Sequence, residues 1–328
     1  MEKLLLGNSA LEVSKLSLGT WAFSGAKIWG GNSEDDSIRT IHTALDSGIN
    51  LIDTAERYGN GLAEEVLGKA LKGRRQEAVV ATKVYADELR YDQVISACEG
   101  SLKRMDTDYI DLYQIHWPNH DIPFDETFSA FDKLIKDGKI RAVSVCNFGC
   151  NDITGAAKYG VVLDQLPYSL IWRVIENEII SACSNVAVPV WAYVPLGQGL
   201  LSGKFKSIDD VPLNRRETRL YSCKWQQGRH TDPGFEEEVF SYLSELTELC
   251  NASGCSMSAV ALAFLKRNKS VASILMGARN QTQLEQNLAA YHKNIPDDVL
   301  DRAIALSEPL KRAQGNNADL WVSENRMR

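Results

Sequence analysis

Three observations predict an α/β fold, a (β/α)8 TIM barrel. From Gly48 to His116 the chain reads strand, turn, helix in succession, and three strands end at Asp53, Lys83 and His116. These ends are 83 − 53 = 30 and 116 − 83 = 33 residues apart, about the length of one βα unit. Eight strand-like runs can be counted, which favours a closed barrel over an open sheet. The length of 328 residues accommodates one barrel of about 250 residues with additional loops.

The first elements are an N-terminal β-hairpin and the first barrel strand. The hairpin is predicted in LLLGNSALEV, turning at Gly7-Asn8, and LSLG follows as a strand. The first helix begins at Ser33-Glu-Asp-Asp36, which resembles a capping box and places acids in the first turn. Gly48 ends this helix in the C′ position.

The remaining elements repeat this alternation of helix, glycine and strand. Helices are predicted over 62–71, about 91–102, 125–136, 235–251 and 256–267, with a last helix from about 297. The further strands are IRAVSV, VVLDQ, VPVWAYV and VASILM. A long loop, polar and basic from Lys204 to His230, follows the seventh strand, and such loops at a barrel mouth usually form lids or binding loops. An irregular tail, NNADLWVSENRMR, ends the chain. We expect one domain over residues 1–328.

Composition argues against several classes of function. The net charge is −7 and no long cationic run is present, which argues against nucleic acid as a partner. The N-terminus has too short an apolar run for a signal peptide, and no window approaches a membrane span. The seven cysteines have no zinc or redox spacing that we recognise. We therefore expect a cytoplasmic protein with reduced thiols.

The strand ends carry residues suited to acid–base chemistry. Parallel strands of a barrel point the same way, so Asp53, Lys83 and His116 should meet at one mouth, with Tyr58 in the adjoining turn. A nearby lysine cation favours a phenolate, so we expect Lys83 to lower the pKa of Tyr58. Asp53 would keep Lys83 protonated, and His116 would orient a carbonyl oxygen. This set predicts a site that protonates an oxygen gaining negative charge.

Several motifs resemble those of the aldo-keto reductase superfamily, in particular its stand-alone bacterial members. The motifs are GINLIDTAERYGNGLAEEVLGKAL, ATKV, DYIDLYQIHWP, VSVCNF, WAYVPLGQGLLSGK and MGARNQTQLEQN. The resemblance implies a (β/α)8 barrel and reversible hydride transfer between NADPH/NADP+ and a small-molecule aldehyde or ketone. It also implies that Tyr58 is the proton donor, supported by Lys83, Asp53 and His116.

The resemblance implies a set of cofactor contacts. Cys146 and Asn147 match the Ser-Asn pair that holds the carboxamide, with Gln165 as the third contact, although a thiol is a weaker hydrogen bonder than a hydroxyl. Tyr193 matches the aromatic residue that stacks on the nicotinamide. Val194 replaces a serine that contacts the pyrophosphate. The further contacts are expected at Thr20, Trp21, Asp53, Pro195, Leu196, Gln198, Leu200, Ser202, Lys204, Gly277, Arg279, Gln283 and Asn287.

Arg279 predicts a preference for NADPH over NADH. It follows the last strand where a helix begins, and a guanidinium there would bind the 2′-phosphate. The alternative is a surface arginine that pairs with Glu285. The basic residues of the long loop, Arg215, Arg216, Arg219, Lys224 and Arg229, are interpreted either as a solvated face or as a phosphate site.

The substrate pocket is expected to contain Trp21, Phe23, Tyr58, His116 and Trp117. Trp21 and Trp117 match aromatic positions of the family's pocket, whereas Trp172 and Trp321 are weaker candidates for the same wall.

Two other functions stay open. His116 and His120 have the spacing of helical zinc ligands, which would fit a metal-dependent barrel hydrolase, but Pro118 lies between them and no third ligand is apparent. We expect no metal. A nucleotide-sensing partner protein, as in potassium-channel beta subunits, is the non-enzymatic alternative. The sequence does not reveal the natural substrate or the oligomeric state.

Overall fold

Eight parallel strands close into a barrel in the computed structural model, which describes residues 1–7, 9–25, 29–225 and 228–328. Nearly every strand residue is buried, as expected where helices cover the outside of a parallel sheet. Neighbouring strands follow chain order, and the last strand pairs with both the first and the seventh. The predicted TIM barrel is confirmed. The barrel strands are β3 (Leu16–Gly19), β4 (Leu51–Asp53), β5 (Val79–Val84), β6 (Ile110–Ile115), β7 (Ile140–Cys146), β8 (Val161–Pro167), β9 (Val190–Tyr193) and β10 (Val271–Gly277).

Eleven α-helices are found in the described residues, and most of them follow a barrel strand. The first begins as predicted, because the Ser33 hydroxyl accepts the Asp36 backbone N–H at 3.0 Å. The sequence analysis missed the fifth and sixth helices, which have only seven residues each and so carry little periodicity. The helices are α1 (Glu34–Asp46), α2 (Leu62–Ala70), α3 (Tyr91–Met105), α4 (Phe124–Lys136), α5 (Cys150–Ala156), α6 (Ile179–Asn185), α7 (Glu236–Ser253), α8 (Met257–Arg267), α9 (Gln281–His292), α10 (Asp297–Leu306) and α11 (Glu308–Gln314).

The N-terminal hairpin closes one end of the barrel. Strands β1 (Lys3–Leu5) and β2 (Glu12–Ser14) pair antiparallel, as predicted, whereas Asn8 of the predicted turn lies outside the described residues. Leu6, Leu11 and Val13 pack with the apolar side chains inside the barrel. Because the hairpin fills the end where the strands begin, the open end is where they finish.

The long loop after β9 and the C-terminal tail (residues 315–328) lie against each other beside the open end. Arg219 of the loop donates to the backbone carbonyls of Asn317 and Asp319. Arg216 donates to two carbonyls within the loop. Both arginines are buried, as is Arg215, so these three do not form a solvated face.

Across the described ranges, no single helix is long and apolar enough to span a membrane. Helices α7 and α8 reach that length and apolar composition only when they are taken together, and they are bent by 97° relative to each other.

Candidate active site

The four residues predicted to carry the chemistry lie together at the open end of the barrel. Asp53 ends β4, Lys83 is the penultimate residue of β5, and His116 directly follows β6. The Lys83 ammonium is 2.6 Å from Asp53 Oδ1 and 3.4 Å from the Tyr58 hydroxyl. The Tyr58 and His116 rings meet edge to face, with centroids 5.9 Å apart. The barrel therefore gathers groups that are distant in the sequence.

The Lys83–Asp53 ion pair is buried and has several further hydrogen-bond partners. Lys83 also donates to the Thr54 carbonyl at 2.9 Å. The amides of Gln165 and Gln114 donate to Asp53 Oδ1 at 2.9 and 3.4 Å. Additional hydrogen bonds of this kind offset the cost of removing an ion pair from water. Lys83 is thus held within reach of Tyr58.

The surroundings of Tyr58 overturn one expectation. Desolvation and the nearby charge of Asp53 raise the pKa of Tyr58 well above its usual value. The predicted lowering of this pKa is not found, because burial of the phenol and the negative charge of Asp53 both raise it. Tyr58 is therefore a protonated hydroxyl at neutral pH, which is the form that can donate.

His116 is held neutral. Desolvation, together with the positive charges of Lys83, Arg326 and Arg57, lowers the pKa of His116 well below its usual value. Its Nδ1 is buried, with no hydrogen-bond partner in the part of the chain that the structure describes. A neutral imidazole keeps one N–H donor, so His116 can donate a hydrogen bond to a carbonyl oxygen without carrying charge.

Aromatic side chains wall one end of a cavity of about 940 Å³ at the barrel mouth. Trp21 stacks on Tyr58 with centroids 6.1 Å apart and meets Trp321 of the tail edge to face at 5.7 Å. Trp117 also lines this end. These residues form a pocket around the Tyr58 hydroxyl.

Two of the expected pocket residues lie elsewhere. Phe23 packs in the core and does not line the cavity. It shares a single 3-10 turn with Trp21, and residues two apart in such a turn point in different directions. Trp172 is also a core residue, and its indole N–H donates to the Ala318 carbonyl. Of the two weaker candidates, only Trp321 reaches the pocket.

The residues matched to the carboxamide contacts surround one another. Asn147 donates to the His116 carbonyl and to Cys146 Sγ, each at 3.1 Å. The Cys146 thiol donates to Gln165 Oε1 at 3.5 Å, and Gln165 uses its amide N–H on Asp53. Tyr193 donates to Asn147 Oδ1 at 2.8 Å. All four line the cavity.

The predicted contacts after β9 and β10 form the other end of the cavity. Thr20 and Leu200 are buried and are not part of its lining. Within the described residues, the side-chain N–H groups of Gln198 and Trp29 are buried without a partner, and donors in this state suit an incoming acceptor. The lining residues at this end are Pro195, Leu196, Gln198, Ser202, Lys204, Gly277, Arg279, Gln283 and Asn287.

Cations cluster at this end of the cavity. Desolvation and the charges of Arg215 and Arg279 lower the pKa of Lys204, and desolvation and Arg279 lower that of Arg215. Arg279 donates to the Trp29 carbonyl at 2.8 Å. It does not pair with Glu285, which accepts from Gln281 instead. Desolvated cations this close together, one of them two residues before α9, fit an anionic ligand such as the phosphates of a dinucleotide.

Sequence reasoning missed several cavity residues. Arg57 adjoins Tyr58, and Tyr85 lies two residues after Lys83, so their positions next to predicted site residues were the available signal. Gln114, which pairs with Lys83 in the strand register and donates to Asp53 without lining the cavity, was also missed. Arg326 reaches the cavity from the tail, and no local pattern pointed to it.

The two histidines considered for a metal site have separate environments. His116 lines the cavity, whereas His120 lies 2.8 Å from Asp152. In the described part of the chain, no three His, Cys, Asp or Glu side chains are placed to hold a metal ion.

Comparison with known proteins agrees with the fold. The model of the aldo/keto reductase family matches residues 15–308. The aldo-keto reductase YhdN of Bacillus subtilis (strain 168) is 36% identical over 301 residues, 87% of each chain. The NADH-specific methylglyoxal reductase of Escherichia coli (strain K12) is 32% identical over 95% of this chain and 100% of its own.

A solved aldo-keto reductase from Klebsiella pneumoniae in complex with NADPH superimposes with a TM-score of 0.73. It is 27% identical, and the match covers 96% of this chain and 99% of the Klebsiella chain. The match of sequence motifs, barrel and family model extends over nearly all of the chain, and the protein therefore belongs to the aldo/keto reductase family.

Proposed function

We propose that this protein is an NADPH-dependent reductase that converts aldehydes and ketones to alcohols. The observation that carries the proposal is the contact of Tyr58 with the buried Lys83–Asp53 pair, inside a cavity whose other end is cationic. A proton donor at one end and an anion-binding surface at the other match the two requirements of carbonyl reduction by a dinucleotide cofactor.

The protein's own residues account for the proton. A bound nicotinamide cofactor would supply a hydride to the carbonyl carbon. Tyr58 donates its proton to the carbonyl oxygen as that oxygen gains negative charge. An alkoxide is a stronger base than a phenolate, so the raised pKa of Tyr58 does not prevent this transfer. The Lys83 ammonium, 3.4 Å from the hydroxyl, stabilises the phenolate that remains.

Neighbouring groups orient the reactants. His116, held neutral, donates a hydrogen bond to the carbonyl oxygen. The Asn147 side chain is fixed by Tyr193 and by the His116 carbonyl, so it is preorganised to hold a carboxamide. The Tyr193 ring lines the cavity beside it and offers a face for stacking.

The cationic end supports a preference for NADPH. The 2′-phosphate adds charge that NADH lacks. Desolvation and the positive charges of Arg215 and Arg279 lower the pKa of Lys204, so added negative charge at this end of the cavity is favourable. The Escherichia coli relative is named as NADH-specific. Because relatives in this family can differ in cofactor, the preference of this protein for NADPH is argued from its own residues. Arg279 is the central one, because its charge affects the pKa of both of its neighbours.

The test is oxidation of NADPH and NADH in the presence of a panel of aldehydes, ketoses and sugar phosphates. We expect turnover with NADPH and weaker binding of NADH. A charged hydrogen bond contributes about 1.5–3 kcal/mol, or roughly ten- to a hundredfold in affinity. Arg279→Ala should therefore reduce the NADPH/NADH affinity ratio by about that factor. Arg302→Ala, an exposed arginine on α10, is the matched control.

Two results would contradict the proposal. Equal affinities in the wild type, or an unchanged ratio in Arg279→Ala, would remove Arg279 as the phosphate-binding residue. Tight NADPH binding without turnover of any carbonyl compound would favour the nucleotide-sensing alternative.

A further inference from the structure

Two arginines at the aromatic end of the cavity, Arg57 and Arg326, contribute to the chemistry described above through their charge, which lowers the pKa of His116 together with desolvation and Lys83. The Arg57 guanidinium lies over the Tyr85 ring, 4.7 Å from its centroid. Arg326, from the C-terminal tail, lies over the Trp117 ring at 3.4 Å. Tyr85 meets the His116 ring edge to face at 5.6 Å, and Trp117 is the next residue after His116. Each guanidinium is therefore one aromatic ring away from His116.

Arg326 is held in a fixed orientation and keeps unused donors. Its Nε and Nη2 donate to the Asp319 carboxylate at 2.7 and 3.1 Å. Asp319 is fully buried and also accepts hydrogen bonds from the backbone N–H groups of Trp321 and Val322. These hydrogen bonds hold the carboxylate in position. A guanidinium has five N–H donors, and Nη1 has no hydrogen-bond partner within the described ranges. The cavity lining includes Arg326, so these donors are available to a ligand.

Among the described residues, the ion-pair partners of Arg57 are two exposed acids. Its Nη2 lies 2.6 Å from Asp87 and 3.6 Å from Glu88, whose side chains are 64% and 40% exposed. Ion pairs in contact with water contribute little because solvent screens them. An anion inside the cavity can therefore compete for this guanidinium at small cost.

The charge of the cavity favours an anion. Among the described residues of the lining, six are arginine or lysine and only Asp53 and Glu217 are acidic. Asp53 is already bound to Lys83. Lys204, Arg215 and Arg279 lie at the end assigned to the cofactor, and Arg229 belongs to the long loop, where its charge acts on Glu217. Arg57 and Arg326 are the two whose charges act on His116. A planar guanidinium fork matches the oxygens of a carboxylate or a phosphate.

We infer that the substrate carries an oxyanion group, a carboxylate or a phosphate, in addition to its carbonyl, and that Arg326 and Arg57 bind this group. The inference rests on the proposed function and specifies the substrate class of the same site. The aromatic walls contact the carbon skeleton, and the two arginines determine which carbonyl compounds are preferred.

The experiment compares kcat/KM for two matched pairs of substrates with the full-length protein and NADPH. One pair is 4-formylbenzoate and its methyl ester, and the other is glyceraldehyde 3-phosphate and glyceraldehyde. Arg326→Gln and Arg57→Gln remove each charge separately, and Arg326→Lys keeps the charge without the fork. Arg302→Gln is the matched surface control. Each substrate has the same intrinsic reactivity whichever variant is used. A change in the ratio of kcat/KM for the charged substrate to kcat/KM for the neutral substrate therefore isolates the contribution of each arginine.

In the wild type, we expect the charged member of at least one pair to be preferred. Each Gln substitution should lower that ratio by about ten- to a hundredfold, Arg326→Lys should lower it less, and Arg302→Gln should not change it. The pair that responds identifies the group as carboxylate or phosphate. If Arg326→Gln does not fold, the substrate ratio measured with Arg57→Gln decides the test.

Unchanged ratios in both Gln variants would overturn the inference. Equal losses for charged and neutral substrates in Arg326→Gln would overturn it for Arg326, because they would show that this residue only holds the tail in place. Turnover of neutral aldehydes with unchanged ratios leaves the proposed function standing. Absence of turnover with every aldehyde and both cofactors would overturn the proposed function itself.

Discussion

The balance of charge around Tyr58 determines what this residue can do. The Lys83 ammonium lies 2.6 Å from the Asp53 carboxylate and 3.4 Å from the Tyr58 phenol. Before proton transfer, the ammonium therefore interacts mainly with the carboxylate. The phenol stays protonated because desolvation raises its pKa. Once the proton has left, the same ammonium faces a phenolate. This arrangement stabilises the charged product of proton transfer more than the starting state.

Replacing Tyr58 by Phe removes the donor and keeps the ring. We expect turnover to fall by about 10²–10⁴-fold, the usual contribution of general acid–base catalysis. Cofactor affinity should be nearly unchanged, because the Tyr58 hydroxyl contacts Lys83 and none of the proposed cofactor residues. Steady-state kinetics and fluorescence titration with NADPH measure the two quantities. Near-normal turnover would refute Tyr58 as the proton donor.

Replacing Lys83 by Met tests the ion pair. Asp53, which is 1% exposed, would then carry an uncompensated buried charge, and such losses cost about 3–5 kcal/mol of stability. Turnover should fall as in Tyr58→Phe. Denaturant unfolding and steady-state kinetics are the measurements.

The double substitution Lys83→Met with Asp53→Asn separates the two effects. Because it removes the buried charge, it should recover much of the lost stability but none of the turnover. If activity returned together with stability, Lys83 would have only a structural role.

At the scale of elements, buried charges also tie helices to the barrel. Glu64 of α2 is fully buried and accepts from Arg104 of α3 and from the Thr82 hydroxyl of β5. One carboxylate thus joins two helices and a strand. The same principle fixes the C-terminal tail, where buried Asp319 binds Arg326. Glu64 and its partner Arg104 do not line the cavity, so Arg104 can be changed without touching Tyr58.

Replacing Arg104 by Met should destabilise the protein without changing kcat. Removing one partner of a buried ion pair costs about 3–5 kcal/mol, and Arg104 does not line the cavity. Denaturant unfolding should show a lower midpoint. Arg39→Met is the control: it breaks an exposed pair with Asp36 and should leave the midpoint nearly unchanged. Equal effects of the two substitutions would show that the buried Arg104–Glu64 ion pair contributes no more to stability than the exposed Arg39–Asp36 pair.

For the whole molecule, the barrel concentrates charge that the sequence spreads along the chain. The net charge is −7, yet the cavity is predominantly cationic. Desolvation, together with the positive charges of Lys83, Arg326 and Arg57, keeps His116 neutral. Folding stability is therefore coupled to pH through a residue at the centre of the site.

The pH dependence of stability follows from the lowered pKa of His116. In the unfolded chain a histidine binds a proton near pH 6.5, whereas the folded protein resists protonation until a lower pH. As pH falls below about 6.5, the unfolded state gains the proton first, so stability is lost. At pH 5.5 this loss is at most about 1.4 kcal/mol.

Measuring the free energy of unfolding at pH 7.5 and pH 5.5 tests this coupling. His116→Gln should lose less stability between the two pH values than the wild type does. His292→Gln, at an exposed position on α9, should behave like the wild type. If His116→Gln showed the same pH-dependent loss as the wild type, His116 would not be the group responsible.

By itself, the sequence determined the barrel and the place of its main chemical groups. Strand ends about one βα unit apart must meet at one mouth, so Asp53, Lys83 and His116 could be located without coordinates. Long, periodic elements such as α4 and β8 were found close to their observed bounds, because periodicity and caps are local signals. The seven-residue helices α5 and α6 were too short for that signal.

Only the tertiary structure decided the electrostatics and the walls of the pocket. The pKa of Tyr58 depends on how deeply the phenol is buried and on the nearby Asp53 carboxylate, neither of which can be read from the order of residues. Trp321 and Arg326 reach the cavity because Arg219 binds the tail, 98 positions further along the chain. Phe23 faces the core although Trp21, two residues away, faces the cavity. Distances, burial and long-range packing of this kind leave no local pattern in the sequence, so they appear only when the chain is folded.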